Sequence, residues 1–194
     1  MKFAKALVVF VLLSWASLTD AADLGGPVML VASPQLSHAI YGGSIVIAAP
    51  IGDGRHIGFI INRPTKVKLG QLFPEHEPSQ KIAEPVFFGG PSDSGLLFAI
   101  VQRGESPGGA TLPLGRGLYL TFDGATVDRI IETEPDHARF YTGLVVWRPG
   151  ELQEEVGRGM WYVSQPEASV VMRRSTKNLW EEMVTRSRLT VGVI

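Results

Sequence analysis

The sequence predicts an α+β fold: a mostly antiparallel, curled sheet with a few flanking helices. Two observations lead there. Short runs rich in Val, Ile, Phe, Tyr and Leu recur, each bounded by Gly or Pro, as half-buried or buried strands require. Helical periodicity is confined to three segments that interrupt the strands without alternating regularly with them, a pattern of α+β rather than α/β architecture. No repeat of fixed period and no polar linker divides the chain, so one domain is expected.

The strand runs are Val28–Ala32, Ser44–Ala48, His56–Ile61, Val86–Phe88, Leu96–Val101, Gly117–Phe122, Arg139–Trp147, Met160–Val163 and Ser169–Arg173. Gly52-Asp53-Gly54 separates the second from the third and suits a hairpin, because glycine reaches positive φ cheaply. Asp123 can cap a helix in which Val127, Ile130 and Ile131 share a face. A second helix starts after Pro149-Gly150, with Glu151, Glu154 and Glu155 near its N-terminus, where the dipole favours negative charge. A third follows Ser175-Thr176 and places Leu179, Trp180, Met183 and Val184 on one side.

Residues 1–21 carry the layout of a secretory signal peptide. Lys2 and Lys5 precede an apolar run from Ala6 to Leu18, and Thr19-Asp20-Ala21 supplies small residues for cleavage after Ala21. The run is shorter than the roughly 20 residues that span a bilayer. A periplasmic or secreted product, residues 22–194, is therefore expected, without stable membrane insertion after cleavage. Removal of the leader leaves 16 Lys and Arg against 18 Asp and Glu. Such a weakly acidic domain lacks the clustered basic face of a general nucleic-acid binder. Arg173, Arg174, Lys177, Arg186 and Arg188 form a basic stretch near the C-terminus and read as a solvated helix face. The chain has no cysteine, which excludes disulfides, thiol nucleophiles and thiolate metal sites.

Catalytic patterns are sparse. His38, His56, His76 and His137 include no pair at metal-binding helical spacing, and the Glu75-His76-Glu77 triplet sits in a proline-bounded loop whose neighbouring side chains diverge. Gly90-Pro91-Ser92-Asp93-Ser94-Gly95 offers hydroxyls beside an acid without the Gly-x-Ser-x-Gly elbow. Gly52-Asp53-Gly54-Arg55 and Gly89-Gly90-Pro91 match no phosphate loop. No catalytic residue, metal or cofactor is assigned. The more distinctive stretches are Asn62-Arg63-Pro64 and Gly143-Leu-Val-Val-Trp147-Arg-Pro-Gly150-Glu-Leu152-Gln-Glu-Glu155, followed by Trp161. They place a planar guanidinium, an indole and a carboxylate at chain corners. Asn62, Arg63, Gly89, Gly90, Trp147 and Glu155 form the candidate surface for a ligand or partner.

Taken in order, these motifs resemble the AlgH/YqgE family of small bacterial proteins. Ala32-Ser33-Pro34, Ile61-Asn62-Arg63-Pro64, Gly89-Gly90-Pro91, the Gly143–Glu155 pattern, Trp161 and Trp180 all fall where that family has its motifs. The likeness covers about residues 27–185. It departs at His38, Val146 and Glu151-Leu152-Gln153, and family members generally lack a leader. The resemblance implies a bifurcated sheet curled into a partial barrel, and a domain with no established reaction. The expected role is that of an exported, non-catalytic binding or regulatory domain, with an unknown protein or small-molecule partner in the envelope. Two alternatives are a cytoplasmic transcriptional regulator of the AlgH type and a hydrolase or metal-dependent enzyme acting on an envelope substrate.

Overall fold

The computed structural model describes residues 23–191; the leader assigned to residues 1–21 lies outside them. Ten strands form one branched sheet in the order β10-β1-β2-β3-β9-β6-β8-β7. The strands are β1 (Val28–Ala32), β2 (Ile45–Pro50), β3 (His56–Ile60), β4 (Pro64–Lys68), β5 (Pro85–Phe88), β6 (Ser92–Gln102), β7 (Thr111–Gly115), β8 (Leu118–Thr121), β9 (Ala138–Trp147) and β10 (Trp161–Ser164). All pairs along that path are antiparallel. The helices are α1 (Leu69–Leu72), α2 (Glu77–Gln80), α3 (Gly124–Thr133), α4 (Glu151–Gly157), α5 (Ala168–Val171) and α6 (Leu179–Val191).

β9 creates the branch. Its last residues pair with β3, its earlier ones with β6, and Tyr141 and Thr142 also align in parallel with Phe87 and Phe88 of β5. β4 extends the branch from β5. The backbones cross so closely here that a Cβ on Gly90 would collide with Leu144, and one on Gly143 with the Gly90 carbonyl. Gly143 also has φ +70°, a conformation glycine reaches without steric cost. The sheet therefore splits and curls into the half-barrel expected.

Side-chain alternation sorts the core into layers. Met29 and Val31 of β1 join Ile45 and Ile47 of β2, Phe59 and Tyr141 inside the half-barrel, whose open side is filled by Val170, Val171, Leu179, Met183 and Val184 from α5 and α6. Val28, Leu30, Ala32, Val46 and Ala48 face the other way, under Trp147, Leu152 and Trp161. Both faces of β1 and β2 are thus buried, which accounts for their continuous apolar runs. A third cluster packs α3 through Val127, Ile130 and Ile131 on Ala99, Val101 and Phe140.

The helix assigned to Asp123 forms, with the Thr126 backbone N–H donating to the Asp123 carboxylate over 3.0 Å. The hairpin at Gly52-Asp53-Gly54 also forms, with all three residues at positive φ. The Ser169–Arg173 segment does not form the predicted strand. Ala168–Val171 is a single helical turn in which the Val170 and Val171 N–H groups both donate to Glu167 O. Burial of the two valines overrides their β preference. β4 and β7 were not predicted; the first carries Pro64 and two lysines, the second Pro113, and proline belongs at sheet edges. Among the described residues no helix is long and apolar enough to cross a membrane.

Candidate functional site

Two of the motif residues, Asn62 and Arg63, bond directly to the loop that leaves β1. Ala32 ends that strand opposite Trp161 of β10, and the chain then runs through residues 33–44 before entering β2. Asn62, at the end of β3, grips the loop's far end at two points. Its Oδ1 accepts from Ile45 N–H over 2.9 Å, and its Nδ2 donates to Gly43 O over 2.9 Å. An asparagine supplies both a donor and an acceptor from one amide, and this position uses both. The Arg63 guanidinium donates to Gly42 O at 2.9 Å, while the Arg63 carbonyl accepts from Phe88 N–H. Gly89 lies next in line, its carbonyl accepting from Ile60 N–H and its N–H donating to Thr142 O. Asn62, Arg63 and Gly89 thus connect the loop to the branch of the sheet.

Trp147 and Glu155 hold the other side. The two indoles, Trp147 and Trp161, are almost fully buried, and both donate to Glu155 Oε2, at 2.9 and 2.8 Å. One carboxylate oxygen satisfies two buried N–H groups, each a charge-assisted bond. Gly58 makes room for the first ring, since a Cβ there would lie 2.7 Å from Trp147 Cζ3. The corner before α4 is turned by Gly150 at φ +81°. Glu151 reaches back to accept from Arg148 N–H at 2.8 Å, and that bond holds its carboxyl below the usual range.

Tyr41, in the loop, lies within electrostatic range of this carboxylate pair. Its phenol is pushed above 10 by partial burial, then by the charges of Glu155 and Glu151. His38 stacks on Tyr41 with ring centroids 4.9 Å apart, and its Nδ1 accepts from Ile40 N–H at 3.2 Å. From the C-terminal side, Trp180 Nε1 donates to Ala32 O at 2.8 Å. Leu36, Ile40 and Tyr41 pack inward on the layer that holds both clamped tryptophans. Pro34, Gln35, Ser37, His38 and Ala39 are left exposed. The arrangement is a loop of fixed shape displayed on a hydrogen-bonded platform. Gly90 sits apart from the loop, sealed against β9 at the crossing of backbones. Only the start of the loop, Ser33-Pro34, carries a motif, and His38 is marked only as a departure from the family pattern; Tyr41 has no local motif, and the recurrence of polar corners at the ends of β1, β3 and β9 is the available signal.

The histidines are dispersed. His56 is buried, with Nε2 bonded to Leu24 O at 2.9 Å, and His137 is exposed in the 3-10 turn Pro135–His137. His76 Nδ1 lies 2.7 Å from Ser79 Oγ, with Nε2 3.7 Å from Glu132. Ser79 is completely enclosed, so its hydroxyl offers no approach to a substrate. No group of three or more His, Asp or Glu residues is placed to hold a metal among the described residues.

Comparison with known proteins agrees with this architecture. A family model described as AlgH-like matches residues 29–191. A UPF0301 protein of Streptomyces coelicolor is 29% identical over 185 residues, covering 92% of this chain and 94% of the relative. One from Bacteroides fragilis is 29% identical over 157 residues, covering 79% and 78%. Two solved structures share the fold. A Corynebacterium diphtheriae protein has TM-score 0.70 at 20% identity, over 84% of this chain and 86% of its own. The AlgH protein of Pseudomonas aeruginosa has TM-score 0.68 at 19% identity, over 84% and 88%. With the family model spanning most of the chain, the protein belongs to the AlgH-like family.

Proposed function

We propose that this chain is an exported, non-catalytic binding domain that presents the 33–44 loop to a protein or small-molecule partner in the bacterial envelope. Asn62, Arg63, Gly89, Trp147 and Glu155 support and shape that surface, and Gly90 fixes the sheet beneath it. The observation that carries this reading is where Asn62 and Arg63 direct their polar groups, to the backbone at Gly42, Gly43 and Ile45. Holding a loop in one conformation lowers the entropic cost of binding through it. The leader-like residues 1–21 supply the export part of the reading. The C-terminal basic stretch adds support against a nucleic-acid role, because Arg173 pairs with Glu182 at 2.5 Å and Arg186 with Glu167 at 2.7 Å. Cations engaged in this way present less charge to phosphate.

The test has two parts. Cell fractionation with intact mass on the recovered protein is expected to return a periplasmic or secreted species beginning at Ala22; a cytoplasmic species retaining Met1 overturns the export assignment. A photoreactive phenylalanine derivative at exposed Gln35 is expected to crosslink a partner that the same group at Lys66 does not, with the yield falling in Arg63→Ala. Equal labelling from both positions, or yield unaffected by Arg63→Ala, removes the loop as the binding surface.

A further inference from the structure

A cleft of about 380 Å3 opens between α2, the end of α3, the start of β9 and Arg174, which follows α5. Its volume is that of a small-molecule site. The floor is apolar, formed by half-buried Ile82 over Ile131, Ala138 and Phe140 of the third core cluster, which are almost fully buried. The rim carries the carboxylates of Glu84, Glu132 and Asp136 against Lys81 and Arg174. Lys81 is already held at 2.8 Å by Glu77, a residue outside the lining. Arg174 spans the mouth, its Nε 3.7 Å from Glu84 and an Nη 3.9 Å from Asp136. Both separations exceed hydrogen-bond length, and the Arg174 side chain is 80% exposed. The guanidinium therefore lies loosely between two acids above an apolar floor.

We propose that this cleft binds a ligand with a cationic head on an apolar body, and that Arg174 occupies the head's position until such a ligand displaces it. The carboxylates select an amidinium, guanidinium or ammonium group, and half-buried Ile82, Pro85 and Pro135 take the apolar part. Because Arg174 competes for the same acids, its removal strengthens binding. This site is separate from the 33–44 loop, so the two proposals stand or fall independently. The required chemistry occurs both in free aryl amidines or amines and in a basic side chain beside an aromatic one in a peptide.

Titration calorimetry on the full chain with benzamidine, the peptide acetyl-Phe-Arg-amide and benzoate tests this. Saturable binding of one or both cationic probes is expected, with none of benzoate. Arg174→Ala is expected to tighten the binding about three- to fivefold, the scale of an exposed ion pair. Glu84→Gln combined with Asp136→Asn is expected to weaken it about tenfold, with thermal unfolding unchanged because Asp136 is 89% exposed and Glu84 41%. Tighter binding of the peptide identifies a protein segment as the source, and tighter or equal binding of benzamidine a small molecule. Failure of both cations to bind, benzoate binding as well as they do, or affinity indifferent to Arg174→Ala or to the double neutralisation overturns the proposal.

Discussion

At the scale of single residues, Glu155 has a large expected influence on stability. Its Oε2 accepts from two buried indoles, so Glu155→Ala leaves two N–H groups without partners. Each such group costs about 1–3 kcal/mol, and a loss of about 2–6 kcal/mol in denaturant unfolding is expected. Glu155→Gln retains an acceptor oxygen and should lose less. The same carboxylate acts on Tyr41, whose phenol is raised by burial first and by Glu155 second. Spectrophotometric titration of Glu155→Gln should therefore show Tyr41 ionising at lower pH than in the unmodified protein. Tyr141 is raised as well, by burial inside the half-barrel, and its hydroxyl has no partner among the described residues. Above pH 10 the unfolded chain releases phenolic protons that the folded chain keeps, so stability falls as pH rises past the unfolded value. Tyr141→Phe should make that decline shallower. At neutral pH it should leave stability unchanged or raise it by up to about 1 kcal/mol, since an unbonded buried hydroxyl is removed.

Elements differed in how far the sequence disclosed them. α3 was readable because its signals agree: Asp123 caps it and Val127, Ile130 and Ile131 fall on one face. The Asp123 carboxyl is held low by the Thr126 hydroxyl and backbone N–H. The stability it contributes is present above the unfolded carboxylate pKa and is lost as pH falls through the lower folded value. The difference between the unmodified protein and Asp123→Ala in thermal unfolding should accordingly shrink on acidification through that range. α5 was misread because Val170-Val171 carries β-branched chemistry while its helical turn is set by Glu167 O and by burial against the barrel interior. β4 and β7 escaped notice because edge strands need little apolar content: β4 is mostly exposed and β7 contains a proline. Gly90→Ala, at the crossing of β9, should abolish cooperative folding, because the added carbon would overlap the backbone at Leu144.

For the molecule as a whole, the sequence disclosed architecture better than sites. Asn62, Arg63, Gly89, Trp147 and Glu155 are legible as polar or unusual corners, yet the bonds from Asn62 and Arg63 to the 33–44 loop, and the packing of Leu36, Ile40 and Tyr41 on the layer that holds Trp147, arise only in three dimensions. The cleft at Arg174 was invisible for a related reason. Glu84, the Glu132–Asp136 pair and Arg174 come from three separate segments, and no spacing connects them. The fold also depends on a late-arriving part of the chain for closure. α6 seals the half-barrel with Leu179, Met183 and Val184, and Trp180 ties it to Ala32 at the other end of the sequence. Trp180→Phe should preserve the packing and lose the bond, at a cost of about 1 kcal/mol in denaturant unfolding.

β9 gives this closure a temporal meaning. It pairs with β3, β5 and β6, so a nascent polypeptide ending before residue 138 lacks the strand on which the two limbs of the sheet meet. Contacts so distant along the chain form slowly, since loop closure must precede their reward. A nascent chain would therefore leave both limbs of the sheet unjoined until this strand emerges, and β9 acts as the timer of folding.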